Sequence, residues 1–267
     1  MNHHEFEELI HNIDLYEQVK QQNFDAITVD EIDQMKEWSQ DIERVRISGL
    51  RQSTFEYFVK TQAHKFKAIL FWKNKLVEDW SLLSTLPDVE FIGFLHNERI
   101  TKCWDMTENH RLKGLSIEDF TRLRSLDGIQ HAPCLERLLF GNSVWPTSVL
   151  DDIQVIANTN LKQFSFRGKK MMELDLEIFR MMPNLERLDF PTNLLTTEEI
   201  AWLKAKIPHL EGYSIRPYLK FNSQEGMDDI LICGKRKPSL HSTRDMDRIQ
   251  KYEAAFWQFV ERYQNQD

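Results

Sequence analysis

The sequence predicts an α/β repeat solenoid, with short strands side by side in one curved parallel sheet and a helical or irregular return after each. Three observations predict it. Four prolines stand in similar contexts, TLPDVEFIGF, HAPCLERLLF, MMPNLERLDF and KIPHLEGYSI, and in each an apolar residue follows the proline by two. Further apolar residues lie three and five places beyond that one, giving the pattern L-x-x-L-x-L. Along the chain the pattern recurs eight times, with starts 24, 23, 23, 23, 26, 24 and 25 residues apart.

The units are Ile42/Val45/Ile47, Phe66/Ile69/Phe71, Val89/Ile92/Phe94, Leu112/Leu115/Ile117, Leu135/Leu138/Phe140, Leu161/Phe164/Phe166, Leu185/Leu188/Phe190 and Leu210/Tyr213/Ile215. All 24 positions are apolar or aromatic in a chain that is 41% hydrophobic. With the first residue of a unit counted as zero, places three and five point to one side of a short strand, because strand side chains alternate. Strands are therefore expected at 44–48, 68–72, 91–95, 114–118, 137–141, 163–167, 187–191 and 212–216. Helical returns are expected in TTEEIAWLKAKIP (196–208), opened by Thr197 with Glu198 and Glu199 and stopped at Pro208, and in LEIFRMMP (176–183).

One unit cannot bury its own apolar face, so the stack is the folding unit and its ends need caps. Residues 5–21 (Phe6, Leu9, Ile10, Ile13, Leu15) and 29–40 (Ile32, Met35, Trp38) read as helices that cap the first strand. At the other end, residues 228–238 read as a last strand closed by Gly234 and Pro238. Ser242 with Asp245 then resembles a capping box opening a helix with Ile249, Tyr252, Phe256, Phe259, Val260 and Tyr263 on one stripe. The predicted organisation is a helical N-terminal cap (1–41), the solenoid (42–219) and a strand-helix C-terminal cap (220–267).

The units resemble leucine-rich repeats, whose pattern is L-x-x-L-x-L-x-x-N-x-L, over residues 42–219. FKAILFWKNKL matches with Asn74 and Leu76, LERLDFPTNLL with Asn193 and Leu195, and VEFIGFLHN places Asn97 at the same site. The other five units carry Leu50, Phe120, Ser143, Lys169 and Tyr218 there, so their turns must be closed differently. The resemblance implies a curved parallel sheet whose concave face binds a macromolecule. The strand, Gly-Lys-Arg-Lys-Pro turn and final helix look like the tail of bacterial leucine-rich-repeat proteins. By that resemblance one concrete role is a bacterial immunity protein that masks a toxin.

Composition narrows the function classes. Seven Trp and seventeen Phe in 267 residues favour an ordered protein. Residues 1–41 hold eleven acids against Lys20 and Lys36, or -9, so with a net charge of -8 the rest sums to about +1. Overall acidity argues against non-specific nucleic-acid binding. Cys103, Cys134 and Cys233 are odd in number and far apart, which predicts a reducing cytoplasm rather than disulfides or zinc. The acidic start does not read as a secretory signal, and no apolar run approaches the roughly 18–20 residues of a membrane helix. GKRK (234–237) lacks the upstream glycine and the Ser/Thr of a phosphate loop, and HHEFEELIH is not H-E-x-x-H. No enzyme activity, metal or cofactor is expected.

The informative positions are then places two, four and six, which point away from the core. Leu70, Trp72, Phe91 and Leu95 form an expected apolar patch on units two and three. Arg137, Arg167, Arg187 and Arg216 form an expected basic strip on units five to eight, with Leu139 also pointing outward. Trp and Arg are enriched at interface hot spots, so these nine residues are the candidate contacts for a protein partner. Two other readings are nucleic-acid binding through the arginines and an enzyme with an unrecognised site. A rival placement has the acidic N-terminal segment folded across this face.

Overall fold

A computed structural model describes residues 1–19, 26–97, 99–224 and 226–266. The chain divides into two compact units, Met1–Leu174 and Asp175–Asp267. Eight of its strands belong to one parallel sheet, which makes the fold mixed α/β.

The first unit runs α1 (His3–His11), β1 (Glu17–Val19), α2 (Val29–Asp33), β2 (Arg44–Ser48), α3 (Gln52–Thr61), β3 (Ala68–Trp72), β4 (Phe91–Leu95), β5 (Gly114–Glu118), β6 (Arg137–Gly141), β7 (Val149–Leu150), α4 (Gln154–Ala157), β8 (Gln163–Arg167) and β9 (Lys170–Met171). Six strands fall on the expected residues, from 44–48 through 163–167. Their register joins equivalent places: Val45, Ile69, Ile92, Leu115, Leu138 and Phe164 lie in one row, and Ile47, Phe71, Phe94, Ile117, Phe140 and Phe166 in the next. Both rows are buried. Strand spacing of about 4.8 Å lets aromatic rings in one row stack. Phe71 stacks on Phe94 at 5.3 Å, and Trp80 closes edge-on against both. Helix α3 adds Phe55 and Phe58 to this core.

Two of the three pattern asparagines, Asn74 and Asn97, follow the chemistry of the pattern. Asn74 Oδ1 accepts from the Leu50 amide at 2.8 Å, and its Nδ2 donates to the Ile47 carbonyl at 3.0 Å. Asn97 Oδ1 accepts from the Asn74 amide at 2.5 Å, and its Nδ2 donates to the Phe71 carbonyl at 3.1 Å. In the unit with Phe120 in that place, Asp119 one residue earlier bonds in the other direction along the stack, accepting from the Ser143 amide of the following unit at 3.1 Å. Asn193 is exposed and does not act this way.

The start of the chain departs from the expected caps. The helix expected over 5–21 stops at His11, because Asn12 turns the chain by accepting from the Asp14 amide. A 3-10 turn follows over Ile13–Leu15, and β1 then pairs parallel with β2, Glu17 opposite Val45. Residues 20–21 of that expectation lie outside the described residues. The helix expected over 29–40 is α2 followed by a 3-10 turn at Gln34–Glu37.

The second unit holds α5 (Glu177–Arg180), β10 (Arg187–Asp189), α6 (Thr197–Lys206), β11 (Tyr218–Lys220), β12 (Ile230–Ile232), β13 (Ser239–Leu240) and α7 (Met246–Gln264). The side chain that caps α6 is Thr196, in a capping box with Glu199, rather than Thr197. The strand expected at 212–216 does not form: Glu211 makes one bridge to Arg187 and the chain turns. Asp189 Oδ1 accepts from the Tyr213 amide at 3.0 Å and the Ser214 hydroxyl donates to the Phe190 carbonyl at 2.5 Å, so side chains take over groups a ladder would use. Strands β11, β12 and β13 form an antiparallel sheet, and Ile230, Ile232 and Leu240 pack with Ile249 of α7.

Candidate functional site

The candidate contacts of the first unit lie on the sheet face opposite the aromatic core, and α1 lies across that face. The helix is defined locally. Asn2 Oδ1 accepts from the Glu5 amide at 2.8 Å and the Glu5 carboxylate accepts from the Asn2 amide, a capping box. Phe6, Leu9 and Ile10 follow at i, i+3 and i+4 and so share one side of the helix. Those three, with Tyr16, form one buried cluster with Ala68, Leu70, Phe91 and Leu139 of the sheet. Phe6 meets Phe91 edge-on with ring centroids 6.0 Å apart.

Gly114 on this face leaves room for the N-terminal helix, and Gly93 leaves room for its own sheet neighbours. A Cβ on Gly114 would stand 2.7 Å from Met1 Sδ and 3.0 Å from Phe6 Cδ2. On Gly93 it would stand 2.8 Å from Leu70 Cδ1 and 2.9 Å from Phe91 Cε1.

Polar contacts ring the apolar centre. Gln163 Oε1 accepts from Arg137 Nη1 at 2.8 Å and lies 2.9 Å from His3 Nδ1. Gln163 Nε2 donates to Glu7 Oε1 at 3.3 Å and to Ser165 Oγ at 3.1 Å. Arg137 Nε donates to the Met1 carbonyl at 3.0 Å. Arg167 donates to Glu118 Oε2 at 3.3 Å, lies 3.8 Å from Glu7 Oε2 and contacts His11 Nε2 at 3.3 Å. Burial works to raise the Glu7 pKa, but the hydrogen bond from His11 and the charges of Arg167, His11 and His3 outweigh it, and the carboxyl is held below its usual range. Glu118 goes the other way: burial raises it, against the lowering influence of Arg167 and His11.

The expectation of an open apolar patch is therefore corrected. Leu70, Phe91, Arg137 and Leu139 point to the predicted side but are buried, the three apolar residues packed in the cluster with α1. Arg167 is half-buried in the Glu7–Glu118 clamp. Trp72 and Leu95 remain half-buried at the strand ends, with the Arg46 guanidinium 4.0 Å over the Trp72 ring and the Lys73 ammonium at 4.5 Å. Arg187 and Arg216 belong to the second unit. Arg187 is held by Asp189 at 2.7 Å and by Glu211 at 3.7 Å, while Arg216 is exposed in the turn that replaces the expected strand.

Sequence reasoning passed over Phe6, Glu7, Gln163, Glu118 and the two glycines as parts of this site. The signal was the charge asymmetry: residues 1–41 carry -9, and one of their acids, Glu7, meets Arg167 on this face.

No helix among the described residues is long and apolar enough to cross a membrane. No protein-family model matches the chain, and comparison with curated proteins finds no similar one.

Proposed function

We propose that this protein is a leucine-rich-repeat scaffold that engages a protein partner on its concave sheet, and that α1 is the resident occupant of that groove. The observation that carries the reading is the seating of α1. A nine-residue helix with anchors at i, i+3 and i+4 lies on an apolar floor bordered by arginines. Helix-in-groove recognition uses this spacing. A partner helix carrying two or three apolar anchors and a carboxylate at the Glu7 position would make the same contacts.

The energetics set what the partner must supply. Burying Phe6, Leu9 and Ile10 at roughly 1.5–3 kcal/mol each gives about 5–9 kcal/mol gross. Against this stands the cost of ordering a helix too short to hold itself in water. The partner has to match the remainder and make further contacts, for which Trp72, Leu95 and Arg167 stand at the margin of the groove. A toxin masked in this way is one form of partner. The carboxylates of Glu7 and Glu118 beside Arg167 disfavour phosphate at the arginines, which sets the nucleic-acid reading behind this one. The three free cysteines fit a reducing, cytoplasmic setting.

The test is competitive capture. The chain lacking residues 1–12 is used as bait beside the full chain, with a synthetic peptide of residues 1–16 as competitor. The reading expects a protein held more strongly by the shortened bait and released by the peptide, but not by the same peptide with Phe6→Ala. Capture indifferent to the peptide overturns it.

A further inference from the structure

A second surface of the first unit is independent of the groove. The loop after β6, Gly141–Ser148, carries Val144 and Trp145 at 70% and 78% exposure. Tryptophan is rarely so displayed, and here the display is built. Asn142 is buried and its Oδ1 accepts from the amides of Thr147 and Ser148 at 2.9 and 2.7 Å, closing the loop on itself. Asp119 holds the near side, accepting from the Ser143 amide at 3.1 Å and from the Ser143 hydroxyl at 2.7 Å. His96 Nδ1 lies 2.6 Å from the same carboxylate. Gly141 has φ +148, and a Cβ there would stand 2.4 Å from the Arg167 carbonyl carbon, so the loop root admits only glycine. The ends of the loop are thus braced before any partner arrives, which lowers the ordering cost on binding.

Its surroundings are basic. Ser148 accepts from the Lys169 amide at 2.7 Å, and Val149 pairs with Lys170, which sets both lysines beside the loop's end. The neighbouring turn brings Arg122, because Arg124 and Asp151 are joined by a backbone bond of 2.8 Å. Arg122, Lys169 and Lys170 are exposed and take part in no ion pair among the described residues. Among the carboxylates of these segments, Asp151 is engaged by Arg124 at 2.9 and 3.0 Å, Asp119 by the contacts above and Asp152 by the Gln154 amide at 2.7 Å, while Glu173 is exposed beyond Lys170.

We propose that Val144–Trp145, with Lys169, Lys170 and Arg122, is a docking surface for an acidic segment of a protein partner, one whose apolar side chain covers the indole. An exposed tryptophan on a braced loop, with cations on the adjoining segments, offers the residue types that interface hot spots favour. Charge complementarity selects an acidic segment. A single Trp is too small an apolar anchor to hold a membrane, and Asp151 and Asp152 interrupt any continuous track for phosphates.

A random dodecapeptide library displayed on phage is selected against the full chain, and the enriched peptides are measured against wild type, Trp145→Ala and Lys169→Glu/Lys170→Glu. The expected result is a family of Asp/Glu-rich peptides with one aliphatic or aromatic residue, weakened at least about tenfold by either variant at unchanged melting temperature. The double lysine variant keeps the test decisive should Trp145→Ala alter the loop. Enriched peptides that are not acidic, or whose binding ignores both variants, overturn the proposal. So does Trp145-dependent binding only to phosphatidylserine vesicles or to single-stranded DNA, each assayed in parallel.

Discussion

Replacing Gly114 by valine asks directly whether a helix lies on the outer face. A Cβ at Gly114 would meet Met1 Sδ at 2.7 Å, Phe6 Cδ2 at 3.0 Å and Phe91 Cδ2 at 3.1 Å, and valine adds two methyl groups beyond it. The Met1 sulfur ends a flexible side chain and can move, whereas the Phe6 ring is buried between helix and sheet. Overpacking of this kind costs about 1–3 kcal/mol. The loss cannot exceed the docking free energy of α1, because beyond that the helix swings off. In the chain lacking residues 1–12 the two closest of these contacts are gone, and the Phe91 ring can move into the space Phe6 leaves. A β-branched residue in a strand then contributes up to about 1 kcal/mol over glycine. Urea titration of the four proteins gives the cycle. The expectation is a loss of about 1–3 kcal/mol in the full chain, no loss or a gain of up to about 1 kcal/mol in the shortened chain, and so a coupling of about 1–4 kcal/mol between the changes. Equal effects in both backgrounds would refute the placement of α1.

Other substitutions probe the sheet and the clamp. Leu188→Ala, at a fully buried place-three position, should cost about 2–5 kcal/mol in a denaturant titration. Leu139→Ala should cost a similar amount in the full chain and clearly less once residues 1–12 are removed, since its cover is α1. Asn74→Ala strips partners from the Leu50 amide and the Ile47 carbonyl, and at about 1–3 kcal/mol for each buried group should cost about 2–5 kcal/mol, while Asn193→Ala at an exposed site should change stability little. Because Glu7's folded pKa is depressed, its stabilisation is present above the unfolded value of about 4.3 and fades as the pH falls through the lower folded value. Glu118, raised by burial, has the opposite sign and gains stability on acidification. The protection factors of the α1 amides, with the intrinsic pH dependence of exchange divided out, should therefore fall at acid pH, and Glu7→Gln should remove that fall.

The sheet was legible because its residues obey a local rule repeated many times. Six five-residue strands lie where alternation from L-x-x-L-x-L puts them, with Ile69, Ile92, Leu115 and Leu138 in one row. The rule failed at 212–216, where Asp189 and Ser214 bond to backbone that a ladder would have used and the chain turns instead. The alternation also put Leu70, Phe91, Arg137 and Leu139 on the correct side of the sheet. What covers them was not legible, because the contact joins α1 to strands up to 160 residues away, as between His3 and Gln163. Periodicity records which face of α1 is apolar and is silent about the surface it meets. Gly93 and Gly114 read as gaps in an outward row, and only the docked Phe6 gives Gly114 a reason.

The groove is tested most directly by putting α1 back in trans. A synthetic peptide of residues 1–16 is titrated into the chain lacking residues 1–12 by isothermal calorimetry, after circular dichroism has verified its fold. The account predicts saturable one-to-one binding that restores the melting temperature of the full chain. It also predicts loss of that binding when the peptide carries Phe6→Ala or the protein carries Gly114→Val. A shortened chain that binds no peptide, binds it equally with Phe6→Ala, or fails to fold would contradict the account and make α1 a fixed part of the core.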